Sequence, residues 1–474
     1  MLVFPGSLMR TVVRLPVSVR ADLPNMVLGR LDIGIVVALL CVFVIAGCAT
    51  YSSSFGVIEK DLATQQYDSA LQDIEKQATD KKDRVLYLLN KGMVMRMKHD
   101  FVASNEALEA AKTEMERLYA ASVHENALSF VVNDSTVSYA GDDYEQVLVH
   151  LYMALNYLEL QQPDDARVEA LQVDEKLREI SEKIPASKFT EDAFSRYLTG
   201  LIYDERGEWS DAMIAYRKAY EAYKKYQANY GMPMPPMLGY DLVRLAKREG
   251  LNDEVAQYRK EFGINQKQEP AYPTDGGEVV FILSNGLAPI KREKSITVVD
   301  PASGVMVRIA LPYYESRTED VVAARISSGG KVTNTETMEN IDAIARKSLD
   351  ARMAAITARS IARAVVKTSA VRAANGDNNN DSTANLIGGL ITQVTAIVTE
   401  RADTRSWLTL PANIQLARLS LPAGSYTITV ELLGAGGQII STRDFPGVVV
   451  RQAHKTYLTE HWVPLQSANS RRYQ

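Results

Sequence analysis

Cysteine is nearly absent: Cys41 and Cys48 are the only two in 474 residues, and both lie in VVALLCVFVIAGCATYSSS at 36–54. No thiol follows Cys48, so the rest of the chain holds no disulfide, no cysteine-ligated zinc and no thiol nucleophile. Histidine is scarce too. His99, His124, His150, His454 and His461 stand apart, in no H-E-x-x-H context, and neither G-x-S-x-G nor G-x-x-x-x-G-K-[ST] occurs. His454 and His461, seven positions apart, would face opposite sides of a strand and make no metal pair. GAGGQ at 434–438 reads as a hairpin turn between strands rather than a nucleotide loop. These absences predict no metal, no cofactor and no enzymatic activity. A formal net charge of −5 supplies no field to attract nucleic acid, so no nucleic-acid partner is expected.

The cysteine-containing stretch is informative in itself. Residues 33–46 carry no charge, and Arg10 and Arg30 lie upstream, the layout of a secretory signal. The run is short of the about 20 apolar residues a membrane span needs. Ile45-Ala46-Gly47-Cys48 resembles the lipobox of bacterial lipoproteins, in which small side chains beside the cut bond admit the peptidase and the cysteine takes the lipid. Cys41 does not fit, because Leu39 and Leu40 precede it. Residues 1–47 are therefore expected to be a signal peptide, with Met26 as an alternative start, and 48–57 a lipidated tether. By resemblance to lipoprotein sorting in enteric bacteria, Ala49 after the cysteine favours the outer membrane, lipid-anchored and facing the periplasm.

Residues 58–265 carry a repeat. In GLIYDERGEWSDAMIAYRKAY, Gly200, Tyr203, Gly207, Ala212, Tyr216 and Ala219 fall at the mutual spacings of the tetratricopeptide repeat. Small residues at 200 and 212 let two helices approach, while Tyr203 and Tyr216 fill the space between them. Ala154, Tyr157, Ala166 and Ala170 keep the same offsets upstream, as Gly92, Met95, Ser104 and Leu108 do more loosely. LVRLAKREGLNDEVAQYRKEFG reads as a last, degenerate unit with Gly250 and Asn252 at its turn. Such arrays expose a groove for a protein partner. Tyr220, Tyr223 and Tyr230 are candidates to line it, against the plainer reading that they pack between helices.

PAYPTDGG, within 266–277, is a linker by composition. Beyond it the period changes to two, and 278–465 reads as a β-rich, sandwich-like domain followed by a tail at 466–474. A helical insertion at 338–400 interrupts it. Arg352, Arg359, Arg363 and Lys367 form one stripe of its first helix, and NLIGGLITQVTAIV makes a second, apolar helix. Two readings stand: a hairpin packed on the sheet with its arginines in water, or one lying on phosphate headgroups. The fold class expected is α+β, an α-solenoid of tetratricopeptide type followed by a β-rich domain with an inserted helical hairpin.

The lipobox, the repeat helices, EVVFILSNGLAPIKREK and above all ADTRSW followed by LP (402–424) together resemble a family of Gram-negative envelope lipoproteins containing tetratricopeptide repeats. That resemblance covers nearly all of the mature chain and brings no activity with it. It implies a part in envelope or peptidoglycan assembly, since the genes of such proteins neighbour small lipoproteins similar to activators of penicillin-binding proteins. In ADTRSW, Asp403 is expected to pair with Arg405 or cap a turn, and Trp407 to anchor the segment. The function expected is a membrane-tethered periplasmic scaffold for an envelope protein. The alternative is a periplasmic hydrolase or small-ligand binder with its site between the two halves.

Overall fold

The computed structural model describes residues 51, 55–77, 80–125, 137–183, 189–265, 276–299, 306–375 and 401–465. The expected signal peptide with Cys48, most of the tether, the linker up to 275, the second limb of the hairpin and the tail lie outside the described residues. Among the described residues ten α-helices come first: α1 (Gly56–Ala63), α2 (Tyr67–Gln77), α3 (Arg84–Met97), α4 (Phe101–Glu125), α5 (Asp143–Glu159), α6 (Pro163–Lys183), α7 (Ala193–Glu205), α8 (Trp209–Tyr230), α9 (Pro236–Arg248) and α10 (Asn252–Phe262).

These helices pair, and every pair is joined by the same backbone device. The second residue after each first helix adopts a left-handed φ: Gln65 (57°), His99 (60°), Gln161 (58°), Gly207 (74°) and Gly250 (72°). The next N–H then reaches back five residues, Gln66 to Asp61, Asp100 to Met95, Gln162 to Tyr157, Glu208 to Tyr203 and Leu251 to Ala246. This closure satisfies carbonyls that a helix end leaves unpaired. Gln65 and His99 stand one tetratricopeptide length, about 34 residues, apart. Later turns are further apart because α4, α6 and α8 have grown to 25, 21 and 22 residues.

Close approach within pairs depends on residues without a side chain. A Cβ on Gly200 would lie 2.4 Å from the Tyr216 ring, and one on Gly92 would lie 2.8 Å from Leu108 Cγ. Gly239 against Phe262, at 2.4 Å, does the same for the last pair.

The second half is built from strands. β1 (Gly276–Asn285), β7 (Asn413–Pro422), β10 (Lys455–Trp462) and β6 (Glu336–Asn340) form one sheet in the order β10-β1-β7-β6, with β1 and β10 parallel. A second sheet has the order β5-β4-β8-β9, from β4 (Ala323–Ser328), β5 (Lys331–Asn334), β8 (Gly424–Leu433) and β9 (Ile439–Val450), while β2 (Ile290–Val299) and β3 (Met306–Glu315) pair separately. Helix α11 (Ile341–Asn375) follows β6. The inserted helix thus starts three residues later than expected, because β6 runs on to Asn340, with Glu339 and Asn340 paired to β7 beyond a bulge at Met338.

β1 explains the layering. Val279, Phe281 and Leu283 face the second sheet with Ile326, Ile428 and Val430, whereas Val280 and Ile282 join the core of the helices. Alternate side chains point to opposite faces, so a strand apolar on both faces must be covered on both. The first sheet is therefore a middle layer, with the second sheet on one side and the helices on the other. Its helix-facing row includes Tyr457, Leu416 and Ile414, buried in one cluster with Tyr152, Leu155, Tyr197 and Leu201.

Gly200→Ala is expected to destabilise the protein by about 1–3 kcal/mol through overpacking, read as a lower melting temperature, because the ring of Tyr216 cannot retreat from a filled core.

Candidate functional site

The helices and the middle sheet meet along a buried polar seam. Asp142 and Glu145 form a capping box at the start of α5, with Asp143 also in its first turn, and acidic groups suit a helix N-terminus. Lys291 of β2 donates to Asp142 Oδ2 at 2.9 Å and to the carbonyl of Arg405 at 2.9 Å. Arg352 of α11 lies 3.0 Å from Asp142 Oδ1. Burial pushes the Asp142 carboxyl up, but Arg352 and Lys291 outweigh it and hold it well below the usual range. Glu145 goes the other way, raised to about 7 by burial and by the charge of Asp142. It accepts from Tyr139 Oη at 2.5 Å, from the Asp142 N–H at 3.1 Å and from the Trp407 N–H at 2.7 Å.

ADTRSW lies in this seam. Arg405 makes a fork to Asp403 (2.7 and 2.9 Å) and reaches Asp83 (3.0 Å) and the Val137 carbonyl (2.9 Å) in the helical half. Trp407 is buried, its Nε1 donating to Thr409, which donates to Asn90 of α3. The Ser406 hydroxyl is buried with no hydrogen-bond partner, so no base is placed to activate it. Further along, Arg418 of β7 bonds Asp241 and Tyr197, and Lys455 of β10 bonds Asp204.

Two expectations are corrected here. Tyr220 and Tyr223 do not line a partner groove. Tyr220 is buried against Tyr258 and donates to Glu261 of α10, while Tyr223 is fully buried and donates to the Met338 carbonyl of β6. Tyr230 is half-buried, edge-on to Tyr226. Tyr220 is covered by the neighbouring helix α10, and Tyr223 by β6 of the middle sheet, which lies over a helix face that an open array would expose. The arginine stripe is likewise no single solvated face: Arg352 is spent on Asp142 and Asp143, and Arg363 is buried beside Ser360. Arg359 is exposed at the rim of the cavity they share, and the Lys367 side chain is outside the described residues. Of the repeat positions, Ala212, Tyr216 and Ala219 are buried, Tyr203 is half-buried, and Gly207 sits at its turn.

A groove does open on the helices' other side. Leu171 of α6, Thr199 and Tyr203 of α7, and Ile214 of α8 line about 220 Å³, with Asp174, Arg196 and Lys218 at the rim. Leu171, Ile214 and the nearby Val168 are 45%, 50% and 53% exposed. No signal in the periodicity separates these outward apolar residues from core ones. Among the described residues no cluster could hold a metal ion, and no helix is long and apolar enough to cross a membrane.

No protein-family model and no curated protein matches the sequence. Among solved structures, the chain is similar over 46% of its length to a crystal structure of MamA (15% identity, 94% of that chain, TM-score 0.27). It is similar over 49% to the apo form of RapI (12% identity, 58% of that chain, TM-score 0.33) and over 44% to aspartyl phosphate phosphatase F from Bacillus subtilis (14% identity, 49% of that chain, TM-score 0.31). At these scores the likeness adds nothing to the helix pairing read from the five turns.

Arg405→Ala is expected to cost about 1.5–3 kcal/mol, since it removes charged hydrogen bonds from the half-buried Asp403 and Asp83, whereas Arg178→Ala, in an exposed pair with Glu175, should leave the denaturation midpoint nearly unchanged. Chemical denaturation of both variants checks this.

The seam also sets a pH dependence. Asp192 caps α7 through the Ser195 N–H, and burial raises its carboxyl to about 6. A raised carboxyl binds its proton more tightly in the folded state, so its contribution is full below the unfolded value and is lost as pH rises through the folded one. Asp192 and Glu145 therefore place a fall in stability between about pH 4 and 7. Asp192→Asn keeps a capping side chain and should flatten that profile, with the larger gain at pH 8, measured by melts across pH.

Proposed function

We propose that the chain is a lipid-anchored scaffold on the periplasmic side of the outer membrane, holding an envelope protein on its helical half and catalysing nothing. The lipobox ending at Cys48, with Ala49 behind it, supports the address. The observation that carries the binding role is the groove between α6, α7 and α8. Half-exposed apolar side chains gathered in one groove, rimmed by charges, fit a partner's apolar anchor with polar contacts around it. The rim is already ordered, with Arg196 Nε 3.1 Å and Lys218 Nζ 3.2 Å from Asp174. The middle sheet leaves this side as the helices' open face.

In this reading the chain's own sheet stands where an open array would receive its partner. The helical half and sheet act as one rigid body that presents the α6–α8 side. Envelope or peptidoglycan assembly, the setting implied by the lipoprotein resemblance, is the process in which such a partner is sought.

Two tests separate address from activity. Cys48→Ser should abolish incorporation of a palmitate analogue and release the protein from membranes; retained label and fractionation would sink the anchor. Leu171→Asp with Ile214→Asp should leave the melt within about 0.5 kcal/mol of wild type, as for exposed sites, while crosslinked capture of the envelope partner from cells is lost. Undiminished capture by a normally melting double variant removes the groove.

A further inference from the structure

Helix α11 turns arginines inward and its apolar side outward. Arg352 reaches Asp142 and Asp143 of the seam, and Ser360 and Arg363 are buried where the helix packs along β3. Across from them Ala354, Ala358, Ile361, Ala362, Val365 and Val366 are exposed, Ile361, Val365 and Val366 by 47%, 58% and 46%. At about 3.6 residues per turn these six share an arc of about 140°. A hairpin packed on the sheet with its arginines in water needs the opposite rotation. Apolar side chains gathered on one open helix face mark a surface that another body covers.

Charge and connectivity say what that body is. Lys347 and Asp350, exposed a turn or two earlier on the same side, mark where the apolar stretch begins, and Arg359 is exposed at its border. From Ala351 to Gly376 the chain has five basic residues and no acidic one, so the field about this part of the helix favours an anionic neighbour. The lipid attachment point is also close in the chain. Cys48 precedes Tyr51 by three residues, and the Tyr51 hydroxyl accepts from Asn90 Nδ2 at 2.7 Å. Asn90 in turn holds Thr409 beside Trp407, the residue bound to Glu145 at the seam from which Arg352 is also held.

We propose that the outward face of α11 lies on an anionic phospholipid surface, with Ile361, Val365 and Val366 entering the headgroup boundary and Arg359 beside the phosphates. The helix lies on the membrane rather than across it, since no described helix is long and apolar enough to cross. A lipid on Cys48 keeps the body at the bilayer, and that high effective concentration lets a shallow apolar contact hold. Attached at two points, the body no longer turns freely about its tether, and the α6–α8 groove is presented in one orientation. The choice of the anchoring membrane rests on the lipid-anchor reading; the apolar face itself does not.

The test is co-sedimentation of the full mature chain carrying Cys48→Ser, which has no lipid and no other thiol, with vesicles. Binding to vesicles of phosphatidylethanolamine and phosphatidylglycerol about tenfold tighter than to phosphatidylcholine vesicles is expected. Ile361→Asp with Val365→Asp should weaken it by about tenfold and leave the melt unchanged, whereas Leu171→Asp should have no effect. An environment-sensitive fluorophore on Ala358→Cys should shift to the blue only when the anionic vesicles are added. No binding, equal binding to both kinds of vesicle, or full binding by the folded double variant overturns the proposal. A probe already blue-shifted without vesicles overturns it too, assigning the face to a second copy where the shift grows with protein concentration and to the chain itself where it does not. The comparison of vesicles on the unsubstituted face decides the matter even where the double variant fails to fold. Because this protein carries no lipid, a failed palmitate label strikes the anchor and leaves the vesicle result standing.

Discussion

The hydrogen bond from the Trp407 N–H to the Glu145 carboxylate, 2.7 Å long and wholly buried, ties a segment near the end of the chain to the first turn of a helix in its middle. Around it, Asp142 holds Lys291 and Arg352, and Lys291 holds the Arg405 carbonyl. Each of these charges is compensated by partners from distant parts of the sequence. A buried charge with a missing partner is far costlier than a buried pair, so the network discriminates against any other placement of the sheet on the helices. The apolar core supplies the driving force for association, and the polar seam selects the register.

That register determines what the helical array has left to offer. Solenoid repeats bury one face on their neighbours and leave another free. Here α5 and α7 are buried along almost their whole length, because Tyr457, Leu416, Ile282 and Trp407 share their core. The array has taken in a partner from its own chain. What stays open is the α6 and α8 side, where Leu171 and Ile214 remain half-exposed.

The division between what was readable in the sequence and what was not follows the range of each interaction. Gly200 and Tyr216 were legible because their contact lies within one helix pair and has a fixed spacing. EVVFILS was legible as a strand, and its unbroken apolar run already carried the fact that both faces are covered. Gln65, His99 and Gln161 hid three of the five left-handed turns, since glycine is the usual mark of that conformation and none of the three is glycine. Tyr223 and Arg352 were misplaced for a different reason. A helical wheel sorts side chains by angle alone, and the partner of each, Met338 or Asp142, comes from an element far away in sequence. ADTRSW was legible as an anchor, but the identity of Glu145 as its receiver was not.

The same physical logic grades the buried charges by how far the fold compensates them. Asp142, Asp241 and Asp204 are buried, and each meets cationic side chains on more than one element or along one helix and strand: Lys291 and Arg352, Arg244 and Arg418, Arg244 and Lys455. Their charge is offset within the fold, although Asp204 still keeps Oδ1 without a donor. Glu159 and Glu205 each keep an oxygen without a donor, and they stand at helix ends whose own dipoles oppose them. Burial raises both carboxyls, which marks the strain of charge left without full compensation. The same cost recurs at Asp192 and Glu339, which keep Oδ2 and Oε2 without a donor and whose carboxyls burial also raises, so the junction carries its uncompensated charge at several points rather than at one.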